Sequence, residues 1–176
     1  MLTDLLKEIV GNLEVNGIPY MVSGSLAMNA YTIPRMTRDI DIVIDIGVDD
    51  IGKFLPIFDR YFYINPKTVD EEVRRRGMFN AIDHRSGYKV DFVVRKNSEY
   101  RRLEFGRRTR NEILGVSTWL VTVEDLIISK FIWIQDIQSD KQLEDIRNLL
   151  ENLTVDVPYV KRWIKELNLN TFDILL

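Results

Sequence analysis

The chain has 176 residues, 45% of them apolar, so a single domain with a sizeable core is expected. Lys and Arg number 24 against 27 Asp and Glu, and the resulting formal charge of -3 argues against a generally basic nucleic-acid binder. Disulfides, thiolate metal sites and a catalytic thiol are excluded because there is no cysteine, and with His84 as the one histidine a multi-histidine zinc centre within one chain is excluded too.

Leu5, Leu6, Ile9, Val10 and Leu13 recur at helical spacing as far as Gly17-Ile18-Pro19, which predicts an opening helix. Met1-Leu2-Thr3-Asp4 lacks the basic start and apolar centre of a signal, and no apolar run is long enough to cross a bilayer; a cytoplasmic protein with no membrane partner is expected. Tyr20-Met21-Val22 reads as a short strand entering Ser23-Gly24-Ser25, followed by a helix over Leu26 to Ala30 whose N-terminus is Ser25. Ile40 to Ile46 is the strongest strand. Asp49-Asp50 opens a predicted helix with Ile51, Phe54, Leu55 and Phe58 inward, and Thr68-Val69-Asp70-Glu71 has capping-box spacing before a short charged helix. Met78 to Ile82 and Tyr88 to Val94 flank Ser86-Gly87 and predict a hairpin.

Arg95, Lys96, Arg101, Arg102, Arg107, Arg108 and Arg110 form a basic block that suits either a solvated surface or a polyanion dock. Beyond Trp119 the pattern is helical: Thr122-Val123-Glu124-Asp125 caps a helix to about Ile134, and Asp140 to Leu153 and Asp156 to Leu167 follow. The expected organisation is an α/β core over residues 1–117 and a helical C-terminal subdomain over 118–176, meeting at a seam near 117 rather than at a flexible linker. Trp119, Trp133 and Trp163 are assigned to packing, His84 and Arg74-Arg75-Arg76 to the surface.

Side chains of an extended segment alternate sides, so Asp39 and Asp41 in Asp39-Ile40-Asp41 point to one face. Two like charges that close repel, and a divalent cation resolves the repulsion. Asp91, alone in the apolar run Val90 to Val94, is a second strand's carboxylate with no structural excuse, because unpaired buried acids are costly. A small-residue loop such as Gly24-Ser25 between strand and helix frees backbone N–H groups for a phosphate, although the same dipeptide is also an ordinary turn and cap. Lys130, nearly alone among apolar neighbours on its helix, either snorkels at a rim or contacts a triphosphate or Asp145; Arg38 either steadies a phosphate or forms an ion pair.

Gly24-Ser25, a helix, Asp39-Ile40-Asp41 on a strand and Asp91 on a later strand together resemble the nucleotidyltransferase superfamily that includes polymerase beta and the kanamycin nucleotidyltransferases. Thr37-Arg38-Asp39-Ile40-Asp41 looks most like the minimal bacterial and archaeal members, among them AbiEii-type toxins of toxin-antitoxin systems. The tail residues Glu124-Asp125-Leu126-Ile127-Ile128-Ser129-Lys130, Gln142 and Glu144-Asp145-Ile146 are similar too. The resemblance implies an α/β (α+β) nucleotidyltransferase fold, with a mixed central sheet flanked by helices. It also implies transfer of a nucleoside monophosphate from a nucleoside triphosphate to an acceptor hydroxyl with Mg2+ or Mn2+. Asp39, Asp41 and Asp91 would be the catalytic acids and metal ligands, and Gly24 and Ser25 would hold phosphates, with Arg38, Lys130 and Asp145 also on the nucleotide side. The acceptor stays open between tRNA, protein and a small molecule, as does a partner protein or antitoxin. A degenerate module that keeps the fold and binds a nucleotide or partner without turnover is the alternative.

Overall fold

The computed structural model describes residues 2–58, 60–137 and 139–175; Met1, Asp59, Gln138 and Leu176 lie outside the described residues. Helix α1, Leu2–Val15, buries Leu5, Leu6, Ile9, Val10 and Leu13 on one side, as its spacing predicts. Strand β1, Tyr20–Ser23, leads into the short helix α2, Gly24–Met28. The helix begins one residue before the expected Ser25. Extended Ser23 takes the N-cap position, and Gly24 adopts a φ of +62°, which glycine enters without the usual steric cost. Strand β2, Asp39–Ile44, follows.

The single helix expected over residues 49–58 is three pieces: a 3-10 turn at Val48–Asp50, helix α3 at Ile51–Phe54, and a second 3-10 turn at Leu55–Phe58. Pro56 lies in the last of them and has no N–H to continue an α-helical ladder. After the two-residue strand β3, Phe62–Tyr63, helix α4 spans Pro66–Arg75. It starts ahead of the expected capping box at Thr68, because Asn65 Oδ1 accepts from the backbone N–H groups of Lys67 and Thr68 at 3.0 and 3.3 Å. Pro66 occupies the first turn, where its missing N–H costs nothing.

Strands β4, Met78–Asp83, and β5, Lys89–Val94, form the expected antiparallel hairpin. Helix α5, Glu99–Gly106, and strands β6, Thr109–Ile113, and β7, Val116–Leu120, occupy a stretch whose charge hides its secondary structure. The seven strands form one mixed sheet in the order β3-β4-β5-β2-β1-β7-β6, in which β2 runs parallel to β5 and antiparallel to β1. The expected seam near residue 117 falls inside β7. Helices α6, Val123–Ile134, α7, Asp140–Leu150, and α8, Val157–Glu166, complete the chain. No helix among the described residues is long and apolar enough to cross a membrane.

Strand periodicity divides the central sheet into an apolar face and a polar one. On the first, Ile40, Ile42 and Ile44 of β2 lie beside Val90, Phe92 and Val94 of β5, all inaccessible to solvent. Phe92 meets Phe54, Phe58 and Phe79 with ring centroids 5.3, 5.2 and 5.5 Å apart, an aromatic cluster that fixes both strands from below. The residues between them, Asp39 and Asp41 on β2 and Lys89 and Asp91 on β5, belong to the other face by the same alternation.

The basic block is largely spent on internal partners. Arg95 pairs with Asp45, Arg101 with Glu104, Arg107 with Asp125, and Arg110 with Glu14, while Arg108 lies over the rings of Phe105 and Trp119. These internal contacts differ from both readings of the block, a freely solvated surface and a polyanion dock. Trp119 and Trp163 pack against the core, but Trp133 is 56% exposed, so its assignment to packing is corrected: it lies on the outward side of α6.

Candidate active site

Gly24 stands against Asp41. A methyl group added at Gly24 would come within 1.9 Å of Asp41 Oδ2, so only glycine lets the β1–α2 turn close over that carboxylate. The backbone N–H of Ser25 is close enough to Asp41 to favour its charged form. The β1–α2 turn thus lies directly against a carboxylate of the acidic face.

Asp41 is directly opposite Asp91 in the parallel β2–β5 register, and Asp39 is opposite Lys89. The three acids therefore share one face of two neighbouring strands, as the alternation predicted. Burial, then the charges of Asp91 and Asp39, push the Asp41 carboxyl up to about 6, against the pull of Ser25 and Lys130. Asp91 is buried and Asp39 is exposed.

The acids do not close into a cage by themselves. Among the described residues no group of three or more His, Cys, Asp or Glu is arranged as a metal site. Instead Lys89 Nζ lies 2.8 Å from Asp91 Oδ2 and 3.9 Å from Asp39 Oδ1. A cation between the carboxylates is what their repulsion calls for, and the chain supplies one. In donor chemistry the residues would suit a hard divalent ion: the candidate donors are carboxylate oxygens, and Asp41 is held in a state that opposite charge would relieve.

On the other side of Ser25 lies a second cluster. Arg35 Nη2 donates to both oxygens of Asp145, at 3.0 and 2.8 Å, and to Ser25 Oγ at 3.3 Å. Lys130, also buried, donates to Asp145 Oδ2 at 2.8 Å and to Gln142 Oε1 at 3.0 Å. Of the alternatives for Lys130, the contact to Asp145 is the one observed. The Arg35 Nε atom is buried with no hydrogen-bond partner among the described residues. Gly24, Ser25, Lys130 and Asp145 are thus drawn together from β1–α2, α6 and α7. Arg38 is not drawn in: it is exposed and makes no hydrogen bond or ion pair with the described residues.

Arg35 and Lys89 are the two residues that sequence reasoning missed. Alternation could have flagged Lys89, two residues before Asp91 on the same face. Nothing local marks Arg35, whose partner is 110 residues away in sequence.

The site sits on a nucleotidyltransferase fold. The antibiotic-resistance factor ANT(2'')-Ia has a similar structure, with a TM-score of 0.63 at 15% identity over 94% of this chain and 91% of that one. A lincosamide antibiotic adenylyltransferase, LnuA, gives 0.53 at 11% identity over 79% and 90%. An antigenic nucleotidyltransferase-like protein from Paracoccidioides brasiliensis gives 0.53 at 15% identity over 92% and 87%. No family model matches the sequence, and no curated protein matches it significantly.

Proposed function

We propose that this chain is a metal-dependent nucleotidyltransferase that moves a nucleoside monophosphate from a nucleoside triphosphate to an acceptor hydroxyl. The observation that carries the proposal is the Asp41–Asp91 rung of the parallel β2–β5 pair, with Gly24 closed over Asp41. Asp39, Asp41 and Asp91 would hold Mg2+ or Mn2+, which when bound supplies charge neutralisation at the reacting phosphate.

The chain's own residues account for the rest. Gly24 and Ser25 present backbone amide and hydroxyl to the β and γ phosphates, with Arg35 and Lys130 on that side. Asp145 holds Arg35 and Lys130 in place beneath them. A bond forms between the acceptor oxygen and the α phosphorus, the bond from that phosphorus to the bridging oxygen breaks, and pyrophosphate leaves. Asp91 takes the acceptor's proton. No covalent link to the protein is required.

ATP is the first donor to test, since ANT(2'')-Ia has been seen with adenylyl-2''-tobramycin and LnuA is an adenylyltransferase. For the same reason a small hydroxyl-bearing molecule of the aminoglycoside or lincosamide kind is the first acceptor, ahead of tRNA or a protein in a toxin-antitoxin setting. In the deciding experiment the protein is incubated with each α-labelled nucleotide, Mg2+ and, in turn, small acceptors, RNA and a cell extract. Label transfer with pyrophosphate release, abolished in Asp41→Asn, is expected. Nucleotide binding without release under every condition would establish the degenerate module instead.

A further inference from the structure

Lys89 has no place in the transfer chemistry, yet it touches two of the three acids. Its position follows from two independent rules. Strand alternation puts it on the same face as Asp91, two residues along β5, and the parallel register sets it opposite Asp39 on β2. The result is an ammonium 2.8 Å from Asp91 Oδ2 and 3.9 Å from Asp39 Oδ1. Among the described residues Lys89 is the one ion-pair partner of Asp91.

We infer that Lys89 is a built-in counterion that stands in for the divalent ion at Asp91 and Asp39, leaves Asp91 when metal binds, and thereby sets the metal affinity. The inference rests on the metal-dependent reading above. A lysine suits this task. Its ammonium only donates, so both carboxylates can pair with it while no metal is present. It carries a single charge on a four-carbon stem with no second anchor, and its side chain is 40% exposed, so water can receive it when it swings out. A divalent ion using the same Asp91 oxygen would face the ammonium at contact distance, and two cations cannot share that place. An ordinary exposed ion pair, worth about 0.2–1 kcal/mol to stability, would leave metal binding untouched.

The test uses Mn2+ alone as the probe, without nucleotide, and reads free Mn2+ by its EPR signal during titration of the whole chain. Lys89→Met and Lys89→Gln remove the charge at a half-exposed rim position, and Lys89→Arg keeps it. Both neutral variants are expected to bind Mn2+ on the order of tenfold more tightly than wild type, the scale of one charge interaction near a protein surface. Lys89→Arg should remain within about twofold of wild type. Without metal, the neutral variants should melt at lower temperature at neutral pH, and saturating Mn2+ should restore them by more than it raises wild type. Equal or weaker Mn2+ binding in both neutral variants, with wild type binding normally, would overturn the role of Lys89 and leave the metal-dependent reading intact. If neither wild type nor any variant binds Mn2+, that reading falls and the inference with it.

Discussion

Asp41 carries the clearest physical signature of any single residue in the chain. Its carboxyl is half-buried and faces Asp91 and Asp39, which together push it up to about 6, so it is protonated in the fold at a pH where it would be ionised in an unfolded chain. A carboxyl whose folded pKa lies above its unfolded one weakens the fold as it ionises. Stability should therefore fall as pH rises from about 4 to about 6, with the full cost present above that window. In EDTA, Asp41→Asn should melt above wild type at pH 8, and the difference should vanish near pH 4. A difference constant across that range in thermal melts would rule out Asp41 as the source. Mg2+ should reverse the effect and release a proton when it binds near pH 6, measurable by calorimetry in buffers of different ionisation enthalpy.

The residues that carry this signature were legible because each breaks a pattern: Asp39 and Asp41 interrupt an isoleucine strand, and Asp91 interrupts a run of Val and Phe. Their opposition across β2 and β5 follows from a parallel register that no local pattern encodes. Arg35 was illegible for a related reason, since its chain neighbours Pro34 and Met36 are an ordinary loop and its meaning comes from Asp145.

At the scale of elements, Asp145 joins three of them. It sits on α7, holds Lys130 of α6, and holds Arg35 from the loop between α2 and β2. One carboxylate thus serves two cations, one of them deeply buried. Asp145→Ala should destabilise the protein by about 3–5 kcal/mol in urea unfolding, because Lys130 is left buried without an anion. Adding Lys130→Met should recover much of that loss, and a purely additive double variant would refute the coupling. The helices of the tail are readable from their caps: Thr122, Ser139 and Asp156 each accept from the backbone N–H three residues on, at the starts of α6, α7 and α8. The region between them and β5 was not, since β6 is exposed along most of its length and its charged residues conceal the strand. Residues 49–58 read as one helix in the sequence because apolar periodicity alone does not register the interruption at Pro56.

Across the whole molecule, the apolar core is continuous from α1 through the sheet into α6, α7 and α8. Asp125, wholly buried near the start of α6, draws hydrogen bonds from Thr122, Arg107, Tyr100 and Tyr159, which ties α5 and α8 to the same point. We propose that the helical tail, although a subdomain in chain order, does not unfold by itself. Fluorescence from Trp119 at the sheet and Trp163 in α8 should report one coincident urea transition, and two separated midpoints would show independent units. Strand β7, which pairs with β1 inside the sheet, crosses the division near residue 117 expected from the sequence, and the helices begin only at Val123.

Ser25 stands between two regions of opposite sign. On one flank Arg35 and Lys130 share a single anion and leave a surplus of positive charge; on the other, three aspartates share one ammonium and leave a surplus of negative charge. The site is therefore polarised along a line through the β1–α2 turn. A visiting molecule with an anionic tail and a cationic head would be rotated by that field before any contact forms, and added salt would blunt the alignment first and the grip afterwards.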